Sequence, residues 1–147
     1  MNNLRKFVSF DAKNTHANPN RGDTLKAVAV HILYVGPLDR GSLVHDAMLD
    51  GPHFRLTLAP DYRELWRMPT QRSFQVAIVH NSHSMFETEA VCRLIRRRWP
   101  GTKILLVIGG SCFLEAVLYD DRVAPTVFPE VLLETIGRIT GVPDEQR

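Results

Sequence analysis

Cysteine, long apolar runs and a strong charge of one sign are all scarce in this 147-residue chain. Its two cysteines, Cys92 and Cys112, lack the CxxC spacing of a metal or redox pair, which predicts reduced thiols in a cytoplasmic protein. No apolar segment reaches the roughly 18 to 20 residues of a membrane span, and residues 1–20 lack the apolar core of a secretion signal. With 18 basic and 16 acidic residues, the net charge of +2 gives no strong field toward nucleic acid or a membrane. The balanced charge and the lack of a long apolar run argue against nucleic acid and against a membrane as partners.

The chain has the length of one domain with its own core. Residues 1–26 are polar and irregular, and we expect them to form a flexible N-terminal arm. Apolar segments then recur over residues 27–140, which we interpret as the folded domain, and residues 141–147 form a charged C-terminal tail.

Apolar segments with the composition of strands alternate with segments of helical spacing. The predicted strands are Ala27–Gly36, Phe54–Leu58, Phe74–Val79, Lys103–Ile108 and Arg122–Val127. The first predicted helix begins at Ser42. The other four cover Pro60–Pro69, Met85–Trp99, Cys112–Tyr119 and Pro129–Ile139. In the third helix, Phe86, Ala90, Val91, Leu94 and Ile95 are expected to face inward. Pro125 restricts the last strand to a sheet edge or a strand end.

Five strands that alternate with five helices predict a mainly parallel α/β sheet with helices on both faces. The natural arrangement is a flavodoxin-like doubly wound sheet with strand order 2-1-3-4-5. In that order the carboxyl ends of the first and third strands lie side by side. Gly36 and His80, which end those strands, are therefore expected to be neighbours.

Small polar and imidazole side chains follow the third strand, in the run His80-Asn81-Ser82-His83. Imidazoles suit zinc or copper, but a structural zinc site needs four ligands and no further ligand lies close in sequence, so we expect neither metal nor cofactor. Ser82, His83 and Glu87 contain the residue types of a hydrolase without the Gly-x-Ser-x-Gly motif that would support one. The sequence therefore favours a protein that is not an enzyme.

One hypothesis for the function is a small-ligand or anion-binding domain whose pocket surrounds Gly36, His80 and Gly109. Its candidate residues are His80, Asn81, Gly109, Gly110 and Ser111, because a glycine-rich turn before a helix presents backbone N–H groups to anions. No GxGxxG or phosphate-loop motif strengthens that hypothesis. A basic helix end at Arg96–Arg98 is too small, in a chain of balanced charge, to predict nucleic-acid binding.

The region from Val30 to Thr140 resembles the receiver domain of bacterial response regulators, the CheY-like fold. The resemblance depends on the order and length of the elements and on four segments. They are His31-Ile32-Leu33-Tyr34-Val35, Phe74-Gln75-Val76-Ala77-Ile78-Val79, Lys103-Ile104-Leu105-Leu106-Val107 and Pro129-Glu130-Val131-Leu132-Leu133-Glu134-Thr135-Ile136. It implies a cytoplasmic signalling domain of a two-component pathway.

The positions that carry receiver chemistry are changed. The resemblance places Gly36 and Pro37 where the acidic pair would hold magnesium, and His80 where the phospho-accepting aspartate would end the third strand. Ile108 replaces the usual threonine or serine, and Ala124 or Pro125 replaces the lysine. Aspartyl phosphorylation needs a carboxylate nucleophile and a cation held by hard oxygen ligands. The resemblance therefore implies a degenerate receiver, or pseudo-receiver.

Such a stand-alone domain is expected to signal by phosphorylation-independent binding of a protein partner. A phosphohistidine at His80 would require a donor that the sequence does not identify. By analogy with receivers, the partner or homodimer surface is formed by the fourth helix, fifth strand and fifth helix. In this chain that surface corresponds to Phe113–Tyr119, Val123–Val127 and Leu132–Ile139.

Overall fold

The computed structural model describes residues 29–37, 52–80, 84–110 and 114–141. These residues build a sheet in which each neighbouring pair of strands is parallel. Its strands are β1 (Val30–Val35), β2 (Phe54–Ala59), β3 (Val76–His80), β4 (Lys103–Val107) and β5 (Asp121–Val123). The order β2-β1-β3-β4-β5 confirms the predicted flavodoxin-like sheet.

Three α-helices and one short 3₁₀ helix connect or follow these strands in the described part of the chain. They are α1 (Tyr62–Arg67), α2 (Met85–Arg98), the 3₁₀ helix Ala116–Leu118 and α3 (Pro129–Thr140). Side chains cap the first two: an Asp61 carboxylate oxygen accepts from the Glu64 N–H at 3.0 Å, and Ser84 Oγ accepts from the Glu87 N–H at 3.1 Å. Helix α3 begins with Pro129, whose missing N–H is no loss in a first turn.

The strand residues alternate between two apolar layers, because successive side chains of a strand point to opposite faces of the sheet. Leu33 and Val35 belong to the layer that also contains residues of α1 and α2. Ile32 and Tyr34 belong to the opposite layer, with Leu132 of α3. Both layers bury large aliphatic side chains completely, so the central strands are fixed from both sides.

Three details differ from the sequence-based expectations. Strand β5 ends at Val123, four residues earlier than predicted, because Pro125 has no N–H for the ladder and the Val127 N–H donates to Ala124 O in a turn. In place of the helix predicted over Cys112–Tyr119, the described residues contain only the three-residue 3₁₀ helix. Phe86 is 83% exposed, since it lies two residues, or about 200° around the helix, from the buried Thr88.

Several predictions concern residues outside the described ranges. They are the N-terminal arm of residues 1–26, the helix beginning at Ser42, Cys112, and all but the first residue of the tail 141–147. Cys92 lies in α2 and is buried. Within the described ranges, no helix is both long and apolar enough to span a membrane.

Candidate functional site at the carboxyl ends of β1 and β3

The carboxyl ends of β1 and β3 meet in the middle of the sheet, where Val35 pairs with Val79. Gly36 follows β1 directly, and His80 is the last residue of β3. A Cβ atom placed on Gly36 would lie 2.8 Å from His80 Cβ and 3.0 Å from the hydroxyl of Tyr34. The expected contact between Gly36 and His80 is therefore confirmed, and it leaves no room for a side chain at position 36.

Tyr34 connects the two strand ends through its hydroxyl group. The side chain is almost fully buried, at 2% exposure, on the layer that faces α3. Its hydroxyl donates to the carbonyl oxygen of Pro37 at 3.0 Å and lies 3.1 Å from Nδ1 of His80. The two rings are tilted by 58° with their centroids 6.5 Å apart, so the contact is a hydrogen bond at the ring edges rather than a stack.

This arrangement defines which nitrogen of His80 carries a proton. A tyrosine hydroxyl has a single proton, and the Pro37 carbonyl can only accept it. With the Tyr34 proton on the Pro37 carbonyl, Nδ1 of His80 is the donor to the Tyr34 oxygen. The imidazole is thus oriented by a hydrogen-bond chain that ends on the backbone of the residue after Gly36.

A second group of predicted positions meets at the same edge of the sheet, where β4 and β5 end. The N–H of Ile108 donates to Val123 O at 3.0 Å, and its side chain is buried at 5% exposure. A Cβ atom on Gly109 would lie 3.5 Å from Pro125 Cδ, an ordinary van der Waals distance. Ala124 and Pro125 are exposed. This corner offers an aliphatic side chain and a proline ring.

A small cleft beside His80 contains two acidic residues that the sequence analysis did not assign to the site. It is lined on one side by Gly36 and His80 and on the other by Asp61 and Glu87, from the starts of α1 and α2. Its volume is about 20 Å³, which holds roughly one water molecule. The Asp61 carboxylate already accepts the N–H of Glu64. Two carboxylates therefore lie near His80.

The candidate anion pocket is only partly visible. Asn81 and Ser111 lie outside the described ranges, as do Ser82 and His83. Gly109 and Gly110 are exposed, and neither lines the cleft that contains Gly36 and His80. Among the residues that the structure describes, no three His, Cys, Asp or Glu side chains are placed to hold a metal ion. The described residues thus do not join His80 and Gly109 into one pocket.

Comparisons with known proteins identify the architecture. A receiver domain protein (CheY-like) from Methanospirillum hungatei superposes with a TM-score of 0.63 at 21% identity, over 80% of this chain and 96% of that one. The response regulator TrrA from Thermotoga maritima, solved in complex with Mg²⁺ and BeF, gives 0.62 at 17% identity, over 75% and 98%. A Burkholderia pseudomallei response regulator with a phosphorylated aspartic acid gives 0.59 at 15% identity, over 76% and 69%. Neither a protein-family model nor a curated protein sequence matches the chain.

The chain has the response-regulator receiver fold. Within this receiver fold, the end of β3 carries an imidazole, and the end of β1 carries Gly36 and Pro37. A tyrosine from inside β1 holds that imidazole.

Sequence reasoning missed Tyr34, Asp61 and Glu87 as parts of the site. A signal for Tyr34 exists in the sequence, because a phenol inside an apolar strand needs a partner for its hydroxyl. Asp61 and Glu87 had a different signal. The spacings Asp61…Glu64 and Ser84…Glu87 mark helix starts after β2 and β3. Helix starts in this topology lie at the edge where the strands end, so these spacings place carboxylates near His80.

Proposed function

We propose that this chain is a pseudo-receiver, a signalling module that binds a protein partner without aspartyl phosphorylation and without catalysing a reaction. The observation that carries the proposal is the hydrogen bond between Tyr34 and His80, at the strand end where a receiver would present its phospho-accepting carboxylate. An imidazole that donates Nδ1–H to a buried phenol is a fixed structural group. It cannot form the acyl phosphate on which receiver signalling depends.

The surroundings of His80 support the same conclusion. Gly36 and Pro37 contribute no side-chain oxygen where a magnesium ion would need ligands, and the cleft beside them holds about one water molecule. Ile108 and Pro125 supply no hydroxyl or ammonium group for a phosphoryl oxygen. A bound phosphoryl group would therefore lack a nucleophile and a counter-charge, and any metal ion would depend on the carboxylates of Asp61 and Glu87.

Acetyl phosphate with Mg²⁺, followed by an intact mass, tests the proposal directly. We expect no phosphoryl adduct, whereas the Burkholderia pseudomallei response regulator with the phosphorylated aspartic acid serves as the positive control. A stoichiometric adduct on this chain that disappears in His80→Ala would contradict the proposal.

A second variant separates the nucleophile from the metal ligands. His80→Asp restores a carboxylate at the end of β3 but leaves Gly36 and Pro37 unchanged. We expect this variant to remain unmodified by acetyl phosphate. If it is phosphorylated in a Mg²⁺-dependent way, Asp61 and Glu87 would have to supply the metal ligands. The absence of acidic residues at positions 36 and 37 would then not be the reason why the wild-type chain is not phosphorylated.

For the contact surface we propose the face formed by the 3₁₀ helix, β5 and α3, used by a partner or by a second copy of the chain. Three apolar side chains support it: Val117, Phe128 and Val131 are 72%, 71% and 38% exposed. Sedimentation equilibrium tests the homodimer, with Phe128→Ser as the variant and Phe86→Ser as the control. Phe86 is 83% exposed but belongs to α2. Equal weakening by both substitutions, or a monomer at every concentration, would contradict the homodimer.

A further inference from the structure

The opposite edge of the sheet, at the amino ends of β3 and β4, contains a groove that the proposed function does not use. It has a volume of about 610 Å³, far larger than the cleft beside His80. One wall is the segment 70–75 that precedes β3, and the other is the segment 98–103 that joins α2 to β4. Its size is that of a binding site, although it lies away from the strand ends where doubly wound folds build theirs.

The groove is basic. Arg72, Arg98 and Lys103 line it, and no aspartate or glutamate does so in the described part of the chain. The carboxyl ends of α2 and α3 also lie there and contribute about half a negative charge each. Three full positive charges outweigh these two helix ends, so the groove favours an anionic ligand.

None of these three cations has an acidic partner among the described residues. Among the described residues, Arg67, Arg93, Arg96 and Arg138 all form ion pairs with carboxylates, whereas Arg72 and Lys103 form none. Arg72 makes one long hydrogen bond of 3.4 Å, to Thr57 Oγ1. Arg72 and Lys103 are both exposed residues. They are therefore the groups of the groove that can pair with an incoming carboxylate.

Arg98 has a different role in the groove. One of its guanidinium nitrogens donates to the carbonyl oxygens of Trp66 at 2.7 Å and Met68 at 3.0 Å. The group also lies 4.3 Å from the centre of the Trp66 ring. Arg98 thus fixes the groove wall and adds positive charge.

Trp99 supplies an independent observation. Its indole Nε1 is buried and has no hydrogen-bond partner within the described residues, although the side chain is only 4% exposed and belongs to the groove lining. An unsatisfied buried donor is destabilising. The unpaired indole N–H thus belongs to a residue of the groove wall and serves as a probe of binding there.

We propose that this groove binds an extended acidic segment of a partner protein, whose carboxylates pair with Arg72 and Lys103. A peptide fits better than a nucleic acid, because Phe74 and Trp99 are buried edge to face against each other and present no open ring for base stacking. The inference rests on the proposed function only in that the chain works by binding a protein. It is independent of any chemistry at His80.

The test is a titration of the full ¹⁵N-labelled chain with a short synthetic peptide of alternating Glu and Ser. The chain has two tryptophans, so Trp66→Phe assigns the two indole signals. We expect the Trp99 indole and the amides of residues 70–75 and 99–103 to shift. Arg72→Gln with Lys103→Gln should weaken binding about tenfold, as expected for two partly exposed ion pairs.

Matched controls make the result decisive. Arg63→Gln with Arg122→Gln removes the same charge from exposed residues outside the groove and should change the affinity less than twofold. Equal weakening by both pairs of substitutions, or equal binding of a Gln-Ser peptide, would overturn the proposal. Inorganic phosphate that reproduces the shifts at the same concentration would indicate a small-anion site, and tighter binding of an RNA oligomer would indicate the wrong class of partner.

The chain's own acidic residues Asp144 and Glu145 need a separate control. If Asp144→Asn with Glu145→Gln moves the Trp99 signal in the absence of peptide, the groove holds the chain's own tail and the proposal is wrong. The phosphorylation assay distinguishes the two proposals. If the peptide does not bind, the groove proposal fails while the mass result at His80 still stands. If a phosphoryl adduct forms, the pseudo-receiver proposal fails while the titration result still stands.

Discussion

The hydroxyl of Tyr34 lies 3.1 Å from Nδ1 of His80 and joins two neighbouring strand ends of the sheet. Because the same hydroxyl donates to Pro37 O, one phenol orients the imidazole and holds the backbone that follows Gly36. A receiver needs an accessible, charged side chain at the end of this strand, since a phosphoryl group and its metal ion must bind there. The Tyr34–His80 hydrogen bond instead fixes the side chain at this place.

Tyr34→Phe removes the hydroxyl and keeps the ring. We expect a loss of about 1–3 kcal/mol in the free energy of unfolding, because the Pro37 carbonyl and His80 Nδ1 both lose their partner in a largely buried setting. Urea unfolding measures the loss, and ¹⁵N shifts of the His80 ring should show the proton redistributing between Nδ1 and Nε2.

Tyr62→Phe is the control for that substitution. Tyr62 is only partly buried at the start of α1, and we expect its loss of a hydroxyl to change the unfolding free energy by less than about 0.5 kcal/mol. Equal effects of the two substitutions, or an unchanged His80 ring in Tyr34→Phe, would contradict the role of the phenol.

Gly36→Ala tests the close approach of the strand ends. The new Cβ would lie 2.8 Å from His80 Cβ and 3.0 Å from the Tyr34 hydroxyl, on a backbone with φ of +155°. We expect destabilisation of about 1–3 kcal/mol. Gly101→Ala is the control, because a Cβ there meets nothing within 4 Å, and we expect that substitution to be neutral or mildly stabilising.

A double variant identifies the cause of the Gly36→Ala effect. His80→Gly removes the Cβ atom that the new methyl group would meet. In a double-mutant cycle, Gly36→Ala should then cost less in the His80→Gly background than in the wild type. Strict additivity would show that the contact with His80 carries no weight, and that the backbone conformation and the contact with Tyr34 account for the loss.

Much of the fold was predictable because the strand signals are strong. The runs around Ile32, Ile78 and Leu105 are apolar on both faces, and the helices between them leave one sensible parallel order. The errors fall where local signals compete. Pro125 ends β5 early, and Phe86 follows an apolar pattern without belonging to the buried stripe of α2.

The site was only partly predictable, for a different reason. His80 and Gly36 follow from strand ends and topology, which the sequence carries directly. The hydrogen bond from Tyr34 depends on side-chain direction across two strands 46 residues apart, and single-residue patterns hold no such information. Asp61 and Glu87 come together only through the packing of α1 and α2 on one face of the sheet.

Arg98 is expected to stabilise the fold through its contacts with the end of α1. Arg98→Ala removes the bonds to Trp66 O and Met68 O and the contact with the Trp66 ring, and we expect a loss of about 1–2 kcal/mol. Arg98→Lys should recover less than half of it, since an ammonium group lacks the planar guanidinium that lies over the Trp66 ring. Thermal or urea unfolding measures both variants.

Arg97→Ala is the control for the Arg98 variants. Arg97 is the exposed neighbour on the same helix end, and its removal changes the net charge equally. We expect an effect within about 0.5 kcal/mol. If Arg97→Ala destabilises the protein as much as Arg98→Ala does, helix-end electrostatics rather than the specific contacts would be responsible.

His31 gives the fold a pH dependence at the amino end of β1. Burial lowers the pKa of His31 from its ordinary value of 6.5, the nearby Arg55 guanidinium lowers it further, and a hydrogen bond to the Ser73 backbone partly offsets both. Between that lowered pKa and 6.5, the unfolded chain binds more protons than the folded chain. Stability from neutral His31 is therefore complete above pH 6.5 and is lost as the pH falls through the pKa of the folded state.

His31→Gln should remove this component of the pH dependence. We expect the unfolding free energy of the wild type to fall more steeply than that of His31→Gln when the pH is lowered below 6.5, and the two slopes to agree above it. Parallel curves for the wild type and His31→Gln throughout the acidic range would mean that the burial of His31 does not lower its affinity for protons.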